Sequence, residues 1–294
     1  MERMIDGLGA AEYLWQKKGI VPFLKTDNGL AEEVDGVQLL KPIPQLEDRV
    51  SSGLSHGVFG TKMRSVIKDF NEKGIERNVV QQFEMGKVVL KGGMVPIIEP
   101  EVDINSPHKA KCEEILKKNI LTQLDSLGAN QQVMLKLTLP TEANLYEDLT
   151  KHPKIIRVVA LSGGYTRERA NELLSKNRGM IASFSRALAE GLSANQSDVE
   201  FDKVLNDSIE SILINNPEFL FIRTSEISKT PKGILAEAAN KMALWELNKI
   251  LLAKRLEVDE EIAIYATKIE HFENILIKLL PPRATKQDEK GTYV

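Results

Sequence analysis

Cysteine is almost missing from this chain. Cys112 is the only one in 294 residues, so no disulfide can close within it and a reducing compartment fits. Histidine is scarce too: His56, His108, His152 and His271 share no metal-ligand spacing and none lies in an apolar strand-like run. A zinc centre built on imidazoles is therefore not expected. No stretch approaches about 18 apolar residues, and Met1-Glu-Arg-Met-Ile-Asp-Gly7 carries no apolar core, so neither a membrane span nor a signal peptide is expected. The net charge is −3 with no long basic run, which argues against nucleic acid as the main partner. No Gly-x-Gly-x-x-Gly or P-loop pattern stands at a strand–helix turn. What is present is enough apolar sequence, 42% of residues, to build a core. The expectation is a soluble cytoplasmic protein of one large domain or two smaller ones.

Short apolar runs alternate with longer amphipathic segments. The runs at 20–25, 58–63, 94–99, 133–139, 156–161 and 180–183 read as strands. Helices are expected over 75–90, 106–127, 143–152, 166–177, 185–192 and 198–214, with Ser106-Pro107 and Thr166 as starting signals. Strands that are continuously apolar point to a parallel sheet covered on both faces. A repeated strand–helix order then means α/β, either an open doubly wound sheet or a (β/α)₈ barrel.

Polar groups at the strand ends favour the barrel. Lys25 closes the first run, Lys62 and Arg64 follow Phe59-Gly-Thr61, and Glu99 and Glu101 follow Val95-Pro-Ile-Ile98. Lys136 and Thr138 share one strand parity, Ser162-Gly163-Gly164 ends the fifth run, and Ser183 and Arg186 end the sixth. Residues two apart on a strand face the same side, so each pair aims one way. Polar groups converging on one rim from successive strands are what a barrel active site requires; an open sheet concentrates its site at one switch point. Each piece alone has a simpler reading, as a solvated flank, a helix cap or a tight turn. Their joint appearance at matching strand ends is not explained that way.

Lys136 is the sharpest of these residues. It sits in the middle of Val133-Met-Leu-Lys-Leu-Thr-Leu139, a run that reads as buried on both faces. An apolar wall disfavours an ammonium and leaves a nucleophilic amine, the condition for a Schiff base with a carbonyl substrate. The resulting iminium withdraws electrons, so a neighbouring carbon–carbon bond can break into an enamine. That step needs a proton acceptor, for which Glu99 or Glu101 could serve. Lys62 would favour the neutral amine by like-charge repulsion and could hold a substrate oxygen. Ser162-Gly163-Gly164, leading into a helix near Thr166, offers backbone N–H groups to an anion, and Arg186 adds a cation suited to phosphate. Barrel enzymes often bind phosphate with the loops after their last two strands.

These residues resemble class I fructose-1,6-bisphosphate aldolases of the bacterial-type branch, over about residues 1–212. The carriers are Gly19-Ile-Val-Pro-Phe-Leu-Lys25, Phe59-Gly-Thr-Lys-Met-Arg64, Val95-Pro-Ile-Ile-Glu-Pro-Glu101, Val133-Met-Leu-Lys-Leu-Thr138, Leu161-Ser-Gly-Gly164 and Ser183-Phe-Ser-Arg-Ala-Leu188. The resemblance implies a (β/α)₈ TIM barrel, no metal or other cofactor, and reversible cleavage of the bisphosphate to dihydroxyacetone phosphate and glyceraldehyde 3-phosphate. It implies Lys136 as the Schiff-base lysine, Glu99 as the proton-transfer residue, and Glu101 and Lys62 as its assistants. It places Lys25 and Arg64 at the sugar phosphate, and Ser162, Gly163, Gly164, Ser183 and Arg186 at phosphate.

Two departures accompany it. Only about six of eight barrel strands can be assigned, and the family's first strand, ending in an aspartate, has no counterpart. The expected architecture is an incomplete barrel over 1–214, poorly stable or inactive unless a partner or another segment closes the gap. Beyond Asn215-Asn216-Pro217 the resemblance stops. Residues 215–294 read as a helical extension, with Leu235, Ala238, Met242 and Trp245 at helical spacing in one segment and Ile262, Ile269 and Leu276 in the next. A disordered tail is expected from Arg283. The extension could bury its own stripe, pack on the open barrel or mediate self-association. Two alternatives to the bisphosphate lyase stand beside it: a Schiff-base aldolase for smaller phosphorylated aldehydes, and a non-catalytic remnant acting in binding or assembly.

Overall fold

The computed structural model describes residues 3–18 and 20–215. A two-residue hairpin, β1 (Met4–Ile5) with β2 (Leu8–Gly9), leads into α1 (Ala10–Lys18). Then come β3 (Phe23–Lys25), β4 (Leu30–Val34), β5 (Val37–Leu40), α2 (Leu46–Ser55), β6 (Gly60–Ile67), α3 (Glu72–Lys91), β7 (Val95–Val102) and α4 (Lys109–Asp125). The chain continues through β8 (Val133–Thr138), α5 (Glu147–Thr150), β9 (Ile155–Leu161), α6 (Arg167–Ser175), β10 (Met180–Ala182), α7 (Arg186–Ala189) and α8 (Asp198–Ile214).

All six expected strands form, as β3, β6, β7, β8, β9 and β10, and each pairs in parallel with its neighbour in that order. Helices α2, α3, α4, α5 and α6 lie in the connections between them, as parallel pairing requires. The hairpin of β4 and β5 was not expected. It runs antiparallel, and β5 takes the C-terminal half of β6's edge at Val37 and Gln38 while β3 takes the N-terminal half. The hairpin's turn also packs closely on α3: a Cβ on Gly74 would lie 2.2 Å from the Asp35 carbonyl oxygen. Among the described residues β3 and β10 do not pair with each other, so the sheet is TIM-barrel-like without closing.

Side-chain alternation sorts the layers. Ile98, Val102, Leu135, Leu137, Val158 and Ala160 face outward into the large core beneath α3, α4 and α6. Val95, Ile97, Met134, Val159 and Ile181 face inward, with Val21, Phe59 and Ile156, to form the apolar floor on which Trp15 and Phe23 pack. The inward positions nearer the strand C-termini, Lys62, Arg64, Glu99, Glu101 and Lys136, form the cavity wall instead. The floor seals one end, and the charged residues line the other.

Most helix expectations hold, but two shorten: 143–152 keeps only Glu147–Thr150, and 185–192 only Arg186–Ala189. Asn144 at φ 63° and Gly191 at φ 84° interrupt helical geometry there. The helix expected from Ser106 begins at Lys109, because the Ser106 hydroxyl accepts the His108 N–H within a preceding turn. Helix α8 forms as expected. The helical extension expected over 215–294 and its tail lie, apart from Asn215, outside the described residues.

Candidate active site

The C-terminal ends of β3, β6, β7, β8, β9 and β10 enclose a cavity of about 520 Å³. Its wall holds five cations, Lys25, Lys62, Arg64, Lys136 and Arg186, and three carboxylates, Asp27, Glu99 and Glu101. The cations outnumber the acids, so the cavity favours an anionic occupant.

Glu99 is the hub. Its carboxylate is buried, with Oε2 2.7 Å from Lys62 Nζ and Oε1 3.1 Å from Lys136 Nζ. Oε2 has no aligned hydrogen bond, so Lys62 holds it as an ion pair and the oxygen keeps unused acceptor capacity. The strands impose this meeting. Ile98 is in register with Leu135, and one residue further along each strand stand Glu99 and Lys136. Helix α3 steadies the same point from behind, since Gln82 Nε2 donates to the Glu99 carbonyl at 3.3 Å and to the Ser65 hydroxyl at 2.8 Å.

The surroundings of Lys136 differ from the expected apolar wall. Its strand neighbours are buried, but its own side chain is 16% exposed and points among charges. The run looked apolar because Val133, Leu135 and Leu137 belong to the outer core, while the inward parity holds only Met134, Lys136 and Thr138. Thr138 departs from the expectation as well. It is buried and turned across to β7, where its hydroxyl is bonded to the backbone of Val102.

Glu101 lies one inward position beyond Glu99 and pairs with Arg64, Nη1 to Oε2, at 3.2 Å. Burial pushes its carboxyl above the ordinary range, with the Glu99 charge adding to the rise, while Arg64 and Arg186 oppose it. Lys25 reaches Asp27 Oδ1 at 2.6 Å. The carboxylate of Asp27 also accepts the Gly29 N–H at 3.1 Å and the Arg64 N–H at 3.3 Å. Burial raises its pKa, but these partners outweigh burial and hold it below the usual carboxylate range. Asp27 thereby ties the ends of β3 and β6 together. It was missed in the sequence because Thr26-Asp27-Asn28-Gly29 reads as a plain turn.

Ser162, Gly163, Ser183 and Arg186 also line the cavity, joined by Leu161 and Ser185. Gly163 and Gly164 both have positive φ, 63° and 113°, and a Cβ on Gly163 would meet Ile104 Cγ2 at 2.8 Å. Gly164 sits behind this wall rather than in it. The expected anion site is the Ser162-Gly163-Gly164 turn; the helix that follows keeps its own first amides, since the Arg167 N–H donates to Glu190 Oε2 at 2.9 Å and the Arg169 N–H to Thr166 Oγ1 at 3.3 Å. Those helix amides are occupied, which leaves the Ser162-Gly163 turn and the Arg186 guanidinium. Among the described residues, no group of three or more His, Cys, Asp and Glu side chains is placed to hold a metal ion. No helix of the described residues is long and apolar enough to cross a membrane.

The TIM-barrel-like α/β sheet carries a lysine–glutamate–lysine constellation at its strand C-termini, the end at which barrel enzymes keep their sites. No family model matches the chain. Curated proteins do match, among them a class 1 fructose-bisphosphate aldolase of Porphyromonas gingivalis, which is 57% identical over 212 residues, 72% of this chain and 72% of that one. Another of the same name, from Synechocystis sp., is 56% identical over 212 residues, 72% of this chain and 71% of that one. The chain belongs to the class I fructose-bisphosphate aldolase family. Among solved structures, the fructose-bisphosphate aldolase of Plasmodium falciparum in complex with TRAP and a small-molecule inhibitor matches with a TM-score of 0.55 at 19% identity. That match covers 69% of this chain and 71% of that one, and it supports the fold.

Proposed function

We propose that the chain is a Schiff-base lyase that cleaves fructose 1,6-bisphosphate reversibly to dihydroxyacetone phosphate and glyceraldehyde 3-phosphate in glycolysis. Family membership supports the reaction. The observation that carries the residue assignment is the single buried carboxylate of Glu99 held between two lysine ammonium groups.

In this reading the Lys136 amine, after giving up its proton, attacks the ketone carbon, and loss of water leaves an iminium. Glu99 takes the proton from the hydroxyl on the fourth carbon. The bond between the third and fourth carbons breaks, its electrons pass into the enamine, and glyceraldehyde 3-phosphate leaves. Protonation of the enamine and hydrolysis of the iminium by water release dihydroxyacetone phosphate and restore the amine. Lys62 holds the second Glu99 oxygen and keeps positive charge beside the developing oxyanion. Glu101 supports the proton transfer less directly, since its partner is Arg64 rather than Lys136. In this reading Lys25 and Arg64 take one phosphate and Ser162, Gly163, Ser183 and Arg186 the other; all six line the cavity, and Gly164 shapes the turn. Five lining cations against three carboxylates suit a bisphosphate better than a small phosphorylated aldehyde. We read residues 1–214 as the barrel unit and 215–294 as its extension, in a cytoplasmic protein.

The test is borohydride reduction of the full chain with dihydroxyacetone phosphate, followed by peptide mass spectrometry. A reduced adduct on Lys136 is expected. A folded chain that acquires no adduct there would overturn the assignment and favour a binding or assembly role.

A further inference from the structure

Strand β7 is central in the sheet yet contains Pro96 and Pro100, and proline cannot donate to a ladder. The directions of its backbone groups follow from period-two alternation. The Val95 N–H donates to Phe59 and the Asp103 N–H to Ile67, so odd-numbered N–H groups turn toward β6. Even-numbered ones turn toward β8, as the Val102 N–H does. Both prolines are even-numbered, so both missing donors belong to the β7–β8 side. The result is visible in the pairing. Strand β7 matches β6 over eight residues from Val95 to Val102, but it matches β8 only at Ile97 and Ile98.

The ladder between β7 and β8 is therefore a seam without register pairing from Glu99 onward, at the level of the Glu99–Lys136 pair. One side chain bridges it. Thr138 Oγ1 accepts the Val102 N–H at 2.9 Å and lies 2.8 Å from the Val102 carbonyl, to which it donates. Both residues are fully buried, so without the hydroxyl two main-chain groups would lack a partner away from water. The Thr138 methyl also lies 3.6 Å from where a Gly163 Cβ would be, so the same residue backs the Ser162-Gly163 turn.

We propose that Thr138 is a positioning residue: its hydroxyl replaces the ladder that Pro100 removes, and so sets the distance between Lys136 and Glu99 across the seam. The proposal rests on the Schiff-base reading above. Anchored at Ile98–Leu135 on one side and Val102–Thr138 on the other, the intervening stretch is held although it is unpaired. An offset of about an ångström there costs on the order of a hundredfold in rate.

Thr138→Val keeps the shape and removes the hydroxyl; Thr138→Ser keeps the hydroxyl and removes the methyl. In the full chain, Thr138→Val is expected to lower kcat roughly 10- to 100-fold with KM within about threefold, and Thr138→Ser to restore kcat to within about threefold of the parent. Backbone amide exchange at Val102 is expected to be slow in the parent and in Thr138→Ser, and faster in Thr138→Val. Loss of thermal stability in Thr138→Val with unchanged kcat would overturn the proposal. If Thr138→Val does not fold, a tenfold fall of kcat in Thr138→Ser would overturn it by assigning the role to the methyl. A parent chain with neither cleavage nor a borohydride adduct would sink the Schiff-base reading instead; the clamp is then judged on exchange alone, and fast exchange at Val102 in that parent overturns it.

Discussion

Glu99 Oε1 lies 3.1 Å from Lys136 Nζ, on adjacent strands that stop pairing one residue earlier. The two side chains meet over the shortest path a parallel sheet allows, about 4.8 Å between strands. The second oxygen of the same carboxylate lies 2.7 Å from Lys62 on the other neighbouring strand. One acid thus serves three consecutive strands.

Replacing Lys136 by methionine keeps the side chain's length and removes its amine. Cleavage is expected to fall by about 10³-fold or more, and borohydride labelling with dihydroxyacetone phosphate to disappear. Folding should survive, because Glu99 retains Lys62. Steady-state rates beside a circular dichroism melt check both halves of the statement.

Glu99→Gln preserves the volume and abolishes the proton acceptor. A fall in kcat of roughly 10²- to 10⁴-fold is expected. Lys136 remains, so an adduct with dihydroxyacetone phosphate should still be trapped. Labelling without turnover would separate amine addition from proton transfer; turnover at the parental rate would remove Glu99 from the mechanism.

Asp27→Asn weakens the tie between Lys25, Gly29 and the Arg64 backbone. Lys25 and Arg64 hold phosphate in the proposed reading, not the reacting carbons. The expected outcome is a KM raised about tenfold with kcat changed less than about threefold. A fall confined to kcat would show that Asp27 acts on the chemistry instead.

Glu101 supplies a pH dependence. Its pKa is raised above the ordinary 4.5, by burial first and by the Glu99 charge second, against the pull of Arg64 and Arg186. An acid whose folded pKa is raised binds more protons folded than unfolded. Its cost to stability is absent below the unfolded pKa, grows as pH climbs through the window above 4.5, and is full above the folded pKa. Glu101→Gln removes the titration. The melting temperature of the variant minus that of the parent should therefore rise with pH across that window. A difference that falls with pH would mean that Arg64 outweighs burial.

Much of the site was legible before the fold was known. Six apolar runs marked six strands, and the polar residues that close them, Thr138 excepted, line one cavity. What the runs concealed was direction. The segment around Lys136 looks uniformly apolar because outward Val133, Leu135 and Leu137 interleave with inward Met134 and Lys136. The segment between Lys25 and Gly60 gave no strand signal, since β4 is largely exposed and β5 is only four residues long, although Val37 and Leu40 are buried once β5 lies on β6. Asp27 was hidden by its ordinary turn chemistry, and the fold alone showed Glu190 taking the Arg167 amide at the start of α6.

Residue order alone determined the strands, their helical connections and the set of charges at one rim, because period-two and helical patterns are local and survive in a linear reading. The pairing of those charges was decided only in three dimensions. Register brought Glu99 beside Lys136, the prolines removed ladder donors between β7 and β8, and the Thr138 hydroxyl bridged the unpaired stretch. Each depends on which backbone groups remain unmet once strands lie side by side, and no single strand contains that information.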